Sequence, residues 1–191
     1  LEPIFIAMAV VAVAELGDKT QLVAVVLARR LRRPFAIAAG MALAMGIMHA
    51  TAAFGGAWLD RMLPDKLMGW VVAIGFCLMA LWMVFSKGHT EEEVPGPISS
   101  RYAFTTALLI FLMLEFGDKS QLATVGLSVA LEPAWKVGLG ATLGSVLANL
   151  PMIWLGHKLK ERFPERLFHW LATLTFAAVG ITLLVHQGMT Y

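Results

Sequence analysis

Moved along itself by 100 residues, the chain meets its own pattern without a gap. Glu15-Leu16-Gly17-Asp18-Lys19-Thr20-Gln21-Leu22 falls on Glu115-Phe116-Gly117-Asp118-Lys119-Ser120-Gln121-Leu122. Gly40 falls on Gly140, Pro64 on Pro164, Leu67 on Leu167, Trp70 on Trp170, Phe76 on Phe176, and His49 on Asn149. Each copy carries three long apolar runs: 3–28, 35–59 and 67–85 in the first, and 102–130, 134–156 and 167–185 in the second. A helix needs about 20 mostly apolar residues to cross a bilayer, and every run meets that length. Three is an odd number, so the second copy enters the membrane in the opposite sense from the first. The expected fold is an all-α integral membrane protein of six transmembrane helices, arranged as two inverted-topology three-helix repeats. Residues 1–88 form the first repeat, 89–100 an acidic cytoplasmic linker, and 101–191 the second repeat.

Composition agrees. Of the 191 residues 59% are hydrophobic and 15% charged, against about 45–50% and 25% in soluble domains. Too few charges remain to cover a water-facing surface, which excludes a soluble globular enzyme. Cys77 alone cannot make a disulfide scaffold, and a net charge of +2 without a clustered basic face gives no support for nucleic-acid binding. The first apolar run is too long for a signal-peptide core and has no positive segment before it. The loops set the orientation. Arg29, Arg30, Arg32, Arg33, Lys87, Arg101, Lys158, Lys160, Arg162 and Arg166 fall on one side, against Arg61, Lys66 and Lys136 on the other. The basic side is cytoplasmic, so both termini should face away from the cytoplasm.

The repeated octet is the most polar part of each half, yet it sits near the middle of an apolar run. Inverted repeats place their substrate there, near the membrane midplane. Glu15 and Asp18, three residues apart, would share one face of a helix, with Lys19 on the same side. Each charged residue at that depth costs about 2.5–3.5 kcal/mol, so six of them cost roughly 15–20 kcal/mol if nothing satisfies them. They do not neutralise one another. Glu15, Asp18, Glu115 and Asp118 against Lys19 and Lys119 leave two negative charges over, which one divalent cation would cancel. Carboxylates, the Gln21 and Gln121 amides and the Thr20 and Ser120 hydroxyls are the oxygen donors a hard cation prefers. Gly17 and Gly117 permit local unwinding that frees backbone carbonyls beside them. With no cysteine in either octet, Mn²⁺, Ca²⁺ and, after them, Mg²⁺ fit best. Lys19 and Lys119 have no lone pair to give a metal, and read as internal counter-charges.

Two copies of Glu-x-Gly-Asp-(Lys/Arg)-(Thr/Ser), one in each half of a six-span chain, resemble the calcium/manganese:proton antiporter family. That family's motif residues fall here on Glu15, Gly17, Asp18, Lys19 and Thr20 and on Glu115, Gly117, Asp118, Lys119 and Ser120. The resemblance implies a secondary transporter that exports divalent cations in exchange for protons, Mn²⁺ before Ca²⁺. It implies a multi-pass protein of the bacterial inner (plasma) membrane. The cation is then cargo, with the proton and the lipid bilayer as partners, and no cofactor is expected. Crowded carboxylates also suit exchange: a metal binding them must displace protons.

Fainter signals remain. His49 and Asn149 sit at matching places, where either could complete a metal shell, and the imidazole suits Mn²⁺ more than Ca²⁺. Each is equally fit to hold helices together. Gly140-x-x-x-Gly144 and Gly55-Gly56 read as close-packing sites, Pro151 as a bend in the fifth run, and Trp70 and Trp170 as interfacial anchors. Glu91, Glu92 and Glu93 read as a solvated linker. Two rival functions stand beside the cation exporter: export of small organic solutes such as basic amino acids, and an intramembrane aspartyl protease using Asp18 and Asp118.

Overall fold

The computed structural model describes residues 1–85, 100–159 and 165–190. Glu91, Glu92 and Glu93, with Lys87, Lys160, Arg162 and Pro164, lie outside the described residues. Those described form eight α-helices and a short 3₁₀ turn, and no strand. In chain order they are α1 (Glu2–Glu15), α2 (Lys19–Leu31), α3 (Pro34–Asp60), α4 (Asp65–Phe85), α5 (Ala103–Glu115), α6 (Lys119–Ala130), α7 (Ala134–Leu159) and α8 (Glu165–Thr190), with the turn at Ser100–Tyr102.

The runs at 3–28 and 102–130, expected as single helices, are each two helices joined at the motif. The break has the same chemistry both times. Leu16 and Phe116 turn to extended backbone, and Gly17 and Gly117 take left-handed φ values of 77° and 75°. Only glycine adopts that region at no steric cost. Asp18 and Asp118 then restart the chain as N-caps, accepting from the backbone amides of Lys19 and Ser120. α5 and α6 meet at 69°. Glu15 and Asp18 therefore do not share a helix face. They stand at opposite edges of a break, as do Glu115 and Asp118.

Among the described residues, four helices are long and apolar enough to cross a membrane: Pro34–Asp60, Leu67–Phe85, Ala134–Trp154 and Trp170–Met189. The bent pair Ser100–Glu115 with Lys119–Ala130 makes a fifth if taken as one span. The α1–α2 pair falls outside that set, its second helix carrying Lys19, Arg29 and Arg30.

Packing follows the repeat. α1 lies along α7 and α5 along α3, while α3 and α7 also pack on each other. Glycine makes those approaches possible. A Cβ on Gly140 would come within 2.3 Å of the Ile4 carbonyl oxygen, and one on Gly40 within 2.5 Å of that of Phe104. Ile4 and Phe104 are themselves counterparts 100 residues apart, so the two contacts are reciprocal. Gly144 meets the Met8 carbonyl in the same way. In the Gly55-Gly56 pair only Gly56 is pressed, against Ser128 and Val125, and Gly55 faces open space. α7 runs unbroken through Pro151.

Two apolar clusters close the ends. One joins α2 and α5 through Val23, Leu27, Leu31 and Phe111 with Ile37, Met41 and Met45 of α3. The other joins α1, α4, α6 and α8 through Val10, Met68, Phe76, Leu127 and Phe176. α4 and α8 pair with each other and rest on α6 and α1, and among the described residues neither packs to a like extent on α5 or α2. The outside is apolar, with Phe54, Trp58, Leu78, Trp82, Trp170 and Leu174 exposed. The inside is polar, with Glu15, Asp18, His49, Glu115 and Asn149 all buried. Water-soluble proteins are built the other way round.

Candidate cation site

Both breaks face the middle of the bundle and bring the two octets together. One carboxylate oxygen each from Glu15, Asp18 and Asp118 lie within 4.8 Å of one another, a spacing that one cation can bridge. A second group overlaps it: an oxygen of Glu15, an oxygen of Glu115 and a ring nitrogen of His49, within the same limit. Glu15 belongs to both. Glu15 and Glu115 have no exposed surface, and Asp18 has 1%.

Each glutamate is held by the hydroxyl five residues on. Thr20 Oγ1 donates to Glu15 Oε2 at 3.2 Å, and Ser120 Oγ to Glu115 Oε2 at 3.3 Å. Beyond that the halves differ. Glu15 also accepts from Asn149 Nδ2 at 3.0 Å, and Ser145 Oγ lies 3.3 Å from its Oε1. Glu115 Oε1 is buried and accepts no hydrogen bond, and the same is true of Asn149 Oδ1. A buried acceptor without a donor is costly unless something positive comes to it.

The glutamines brace the breaks. Gln21 Oε1 accepts from the Gly17 amide at 3.0 Å, and its Nε2 donates to the Ala148 carbonyl at 3.0 Å. Gln121 does the same, accepting from Gly117 at 2.8 Å and donating to the Met48 carbonyl at 3.4 Å. Each therefore satisfies an amide that the unwinding exposes and ties its break to the helix of the other half. Residues 48 and 148 are again counterparts.

Lys119 Nζ stands 3.4 Å from Asp18 Oδ1, an ion pair that crosses between the halves. Lys119 is a counter-charge here, though to the other motif's aspartate rather than to its own glutamate. Lys19 opens α2 and is half-buried. The positive ends of α2 and α6 point at the aspartates that cap them, which favours negative charge at the centre.

Glu15, Asp18, Glu115, Asp118 and Lys119 thus come together across the two halves, with Thr20, Ser120, Gln21 and Gln121 bracing them and His49 and Asn149 beside them. Two residues escaped the sequence reading: Thr124 and Ser145, both buried and both bonded to His49. They have no polar counterpart, since Ala24 and Met45 occupy those positions, so the repeat does not mark them. Helical spacing does. Thr124 follows Ser120 by four residues, and Ser145 precedes Asn149 by four.

Broken helices that pool polar groups inside the bundle are a recurring plan of secondary membrane transporters. The chain belongs to the family described as "Divalent cation/proton antiporter GDT1", which it matches over residues 3–91 and 103–190. That membership makes it a multi-pass membrane transporter and not an enzyme, which sets aside the protease reading; its metal ions are cargo. It is 37% identical over 161 residues to a Vibrio cholerae serotype O1 protein named "Putative manganese exporter", covering 83% of this chain and 78% of the relative. It is 27% identical over 209 residues to "GDT1-like protein 5" of Arabidopsis thaliana, covering 91% of each. A rice protein of the same name is 24% identical over 211 residues, covering 91% of this chain and 90% of the relative. No solved structure matches the chain.

Proposed function

We propose that this chain exports divalent cations from the cytoplasm in exchange for protons, with Mn²⁺ as its main cargo and Ca²⁺ as the alternative. The observation that carries the reading is the joining of buried Glu15 and Asp18 with half-buried Asp118 of the other half, within reach of one ion. Glu15, Asp18, Glu115 and Asp118 hold a dehydrated cation, with Gln21 and Gln121 next to the shell. Gly17 and Gly117 shape the breaks, Thr20 and Ser120 orient the glutamates, and Lys19 and Lys119 balance charge when no metal is bound. The relative named as a manganese exporter supports the choice of Mn²⁺.

In this reading α1–α2 and α5–α6 each cross the membrane as one broken span, making six spans in two inverted repeats. The matching contacts of Gly40 on Phe104 and Gly140 on Ile4, and of Gln21 on Ala148 and Gln121 on Met48, support it. Both termini face away from the cytoplasm, in the bacterial inner membrane. Alternating access then carries the site between the two sides. A metal that enters displaces protons from the carboxylates, and a metal that leaves is replaced by them. Cytoplasmic Mn²⁺ departs as external protons come in.

Proteoliposomes loaded with a pH dye, with membrane potential clamped, test this directly. Mn²⁺ added on one side should move protons the opposite way, and Glu15→Gln and Glu115→Gln should each lower metal flux by about two orders of magnitude. Wild-type flux in both variants would show the site to be elsewhere. Metal flux without proton movement would remove the coupling and leave the site.

A further inference from the structure

Behind the carboxylates, His49 of α3 is fixed by two hydroxyls of the other repeat. Its Nδ1 lies 2.9 Å from Thr124 Oγ1, and its Nε2 lies 2.7 Å from Ser145 Oγ. The proton positions follow from counting. Thr124 gives its one hydroxyl proton to the Ser120 carbonyl at 2.8 Å, so it can only accept from His49. The proton of the neutral imidazole is therefore on Nδ1, and the Nε2 lone pair is turned toward Ser145 and the glutamates.

A histidine that ligates a metal through one nitrogen donates its other N–H to a fixed neighbour, and Thr124 is that neighbour. Ser145 does not block Nε2 permanently. Its hydroxyl proton has a second acceptor at hand, Glu15 Oε1 at 3.3 Å, and by turning to it releases the imidazole lone pair. Two further acceptors in this region, Glu115 Oε1 and Asn149 Oδ1, are buried and without a hydrogen bond. Glu15, Glu115 and His49 offer one ligand atom each within 4.8 Å of one another.

We propose that Glu15, Glu115 and His49 Nε2 form a second coordination position for the transported cation, and that its nitrogen ligand selects Mn²⁺ over Ca²⁺. The proposal rests on the carboxylate reading of the preceding section and adds a step to it. Since Glu15 belongs to both groups, one ion passes from the aspartate position to the histidine position by pivoting on that residue. Imidazole is a good ligand for first-row transition metals, whereas Ca²⁺ takes oxygen almost exclusively. A cation unable to use nitrogen is held at the first position and not passed on. The duplication does not repeat this filter, because His49 is matched by Asn149.

The test compares Mn²⁺ and Ca²⁺ on the full chain in proteoliposomes, for wild type and His49→Asn. The variant should lose at least tenfold in apparent Mn²⁺ affinity while Ca²⁺ changes less than threefold. A loss that merely loosened the packing would lower both alike, and equal changes, or none, overturn the proposal. A second measurement does not depend on the variant folding. Pulsed electron paramagnetic resonance of Mn²⁺ bound to wild type should show coupling to one imidazole nitrogen. Bound Mn²⁺ without that coupling overturns the histidine position alone. Failure of wild type to bind Mn²⁺ overturns the carboxylate reading and this proposal with it.

Discussion

Lys119 is the residue whose role the fold changes most. Sequence spacing sets it beside Glu115, on the assumption of a continuous helix. The break at Gly117 turns it across the site to Asp18, 3.4 Å away. Removing one member of a buried ion pair strands the other, a loss of about 3–5 kcal/mol. Lys119→Gln should therefore lower both the unfolding temperature and Mn²⁺ flux, the latter about tenfold or more, while Lys119→Arg keeps most of each. Thermal unfolding in detergent and radiolabelled Mn²⁺ uptake measure the pair. If glutamine is tolerated better than arginine, shape matters there and charge does not. At this scale the repeat makes nearly everything legible, because selection of the same residue types at two places marks them without any structure. It fails where the halves diverge. Thr124 and Ser145 stand opposite Ala24 and Met45, and only the folded bundle shows that they hold His49.

Among the elements, the breaks and the glycine contacts decide how closely the helices meet. The glycine in each octet permits unwinding, and the structure unwinds there. What spacing could not give was the direction of the chain after the break, since the 69° bend between α5 and α6 depends on packing against α3 and α7. The paired glycines of α3 were legible only in part. A Cβ on Gly56 would lie 2.2 Å from Ser128 Oγ and 2.5 Å from the Val125 carbonyl, and one on Gly55 would touch nothing within 4 Å. Neighbours in sequence point to different sides of a helix, and only one side meets α6. Gly56→Ala should cost about 1–3 kcal/mol through overpacking. Gly55→Ala should be neutral or gain up to about 1 kcal/mol, as alanine is the better helix former. Unfolding midpoints in one detergent compare them, and equal losses at both positions would refute the packing assignment.

For the whole molecule, the inverted arrangement predicts opposite exposure of the amino-terminal end and of the linker between the repeats. Glu2→Cys and Pro95→Cys, each with Cys77 replaced by alanine, should label from opposite sides of sealed vesicles with a membrane-impermeant thiol reagent. Labelling of both from one side would overturn the six-span topology. The apolar runs made the membrane class plain. The count of spans was harder, because the first run carries its site and its basic end within one length, and α1 and α2 fall outside the helices long and apolar enough to cross a membrane.

The lopsided seat of α4 and α8 has a further meaning. Resting together on α1 and α6, they act like a door leaf latched to one jamb. In the proposed topology α1 and α6 form the outer half of the protein, so this contact lies on the outer side. Phe76 is the bolt: its ring lies where a Cβ on Gly126 would come within 2.4 Å. By the 100-residue shift α2 and α5 are the counterparts of α6 and α1, but Val26 stands where Gly126 does, so the duplication does not repeat this close contact.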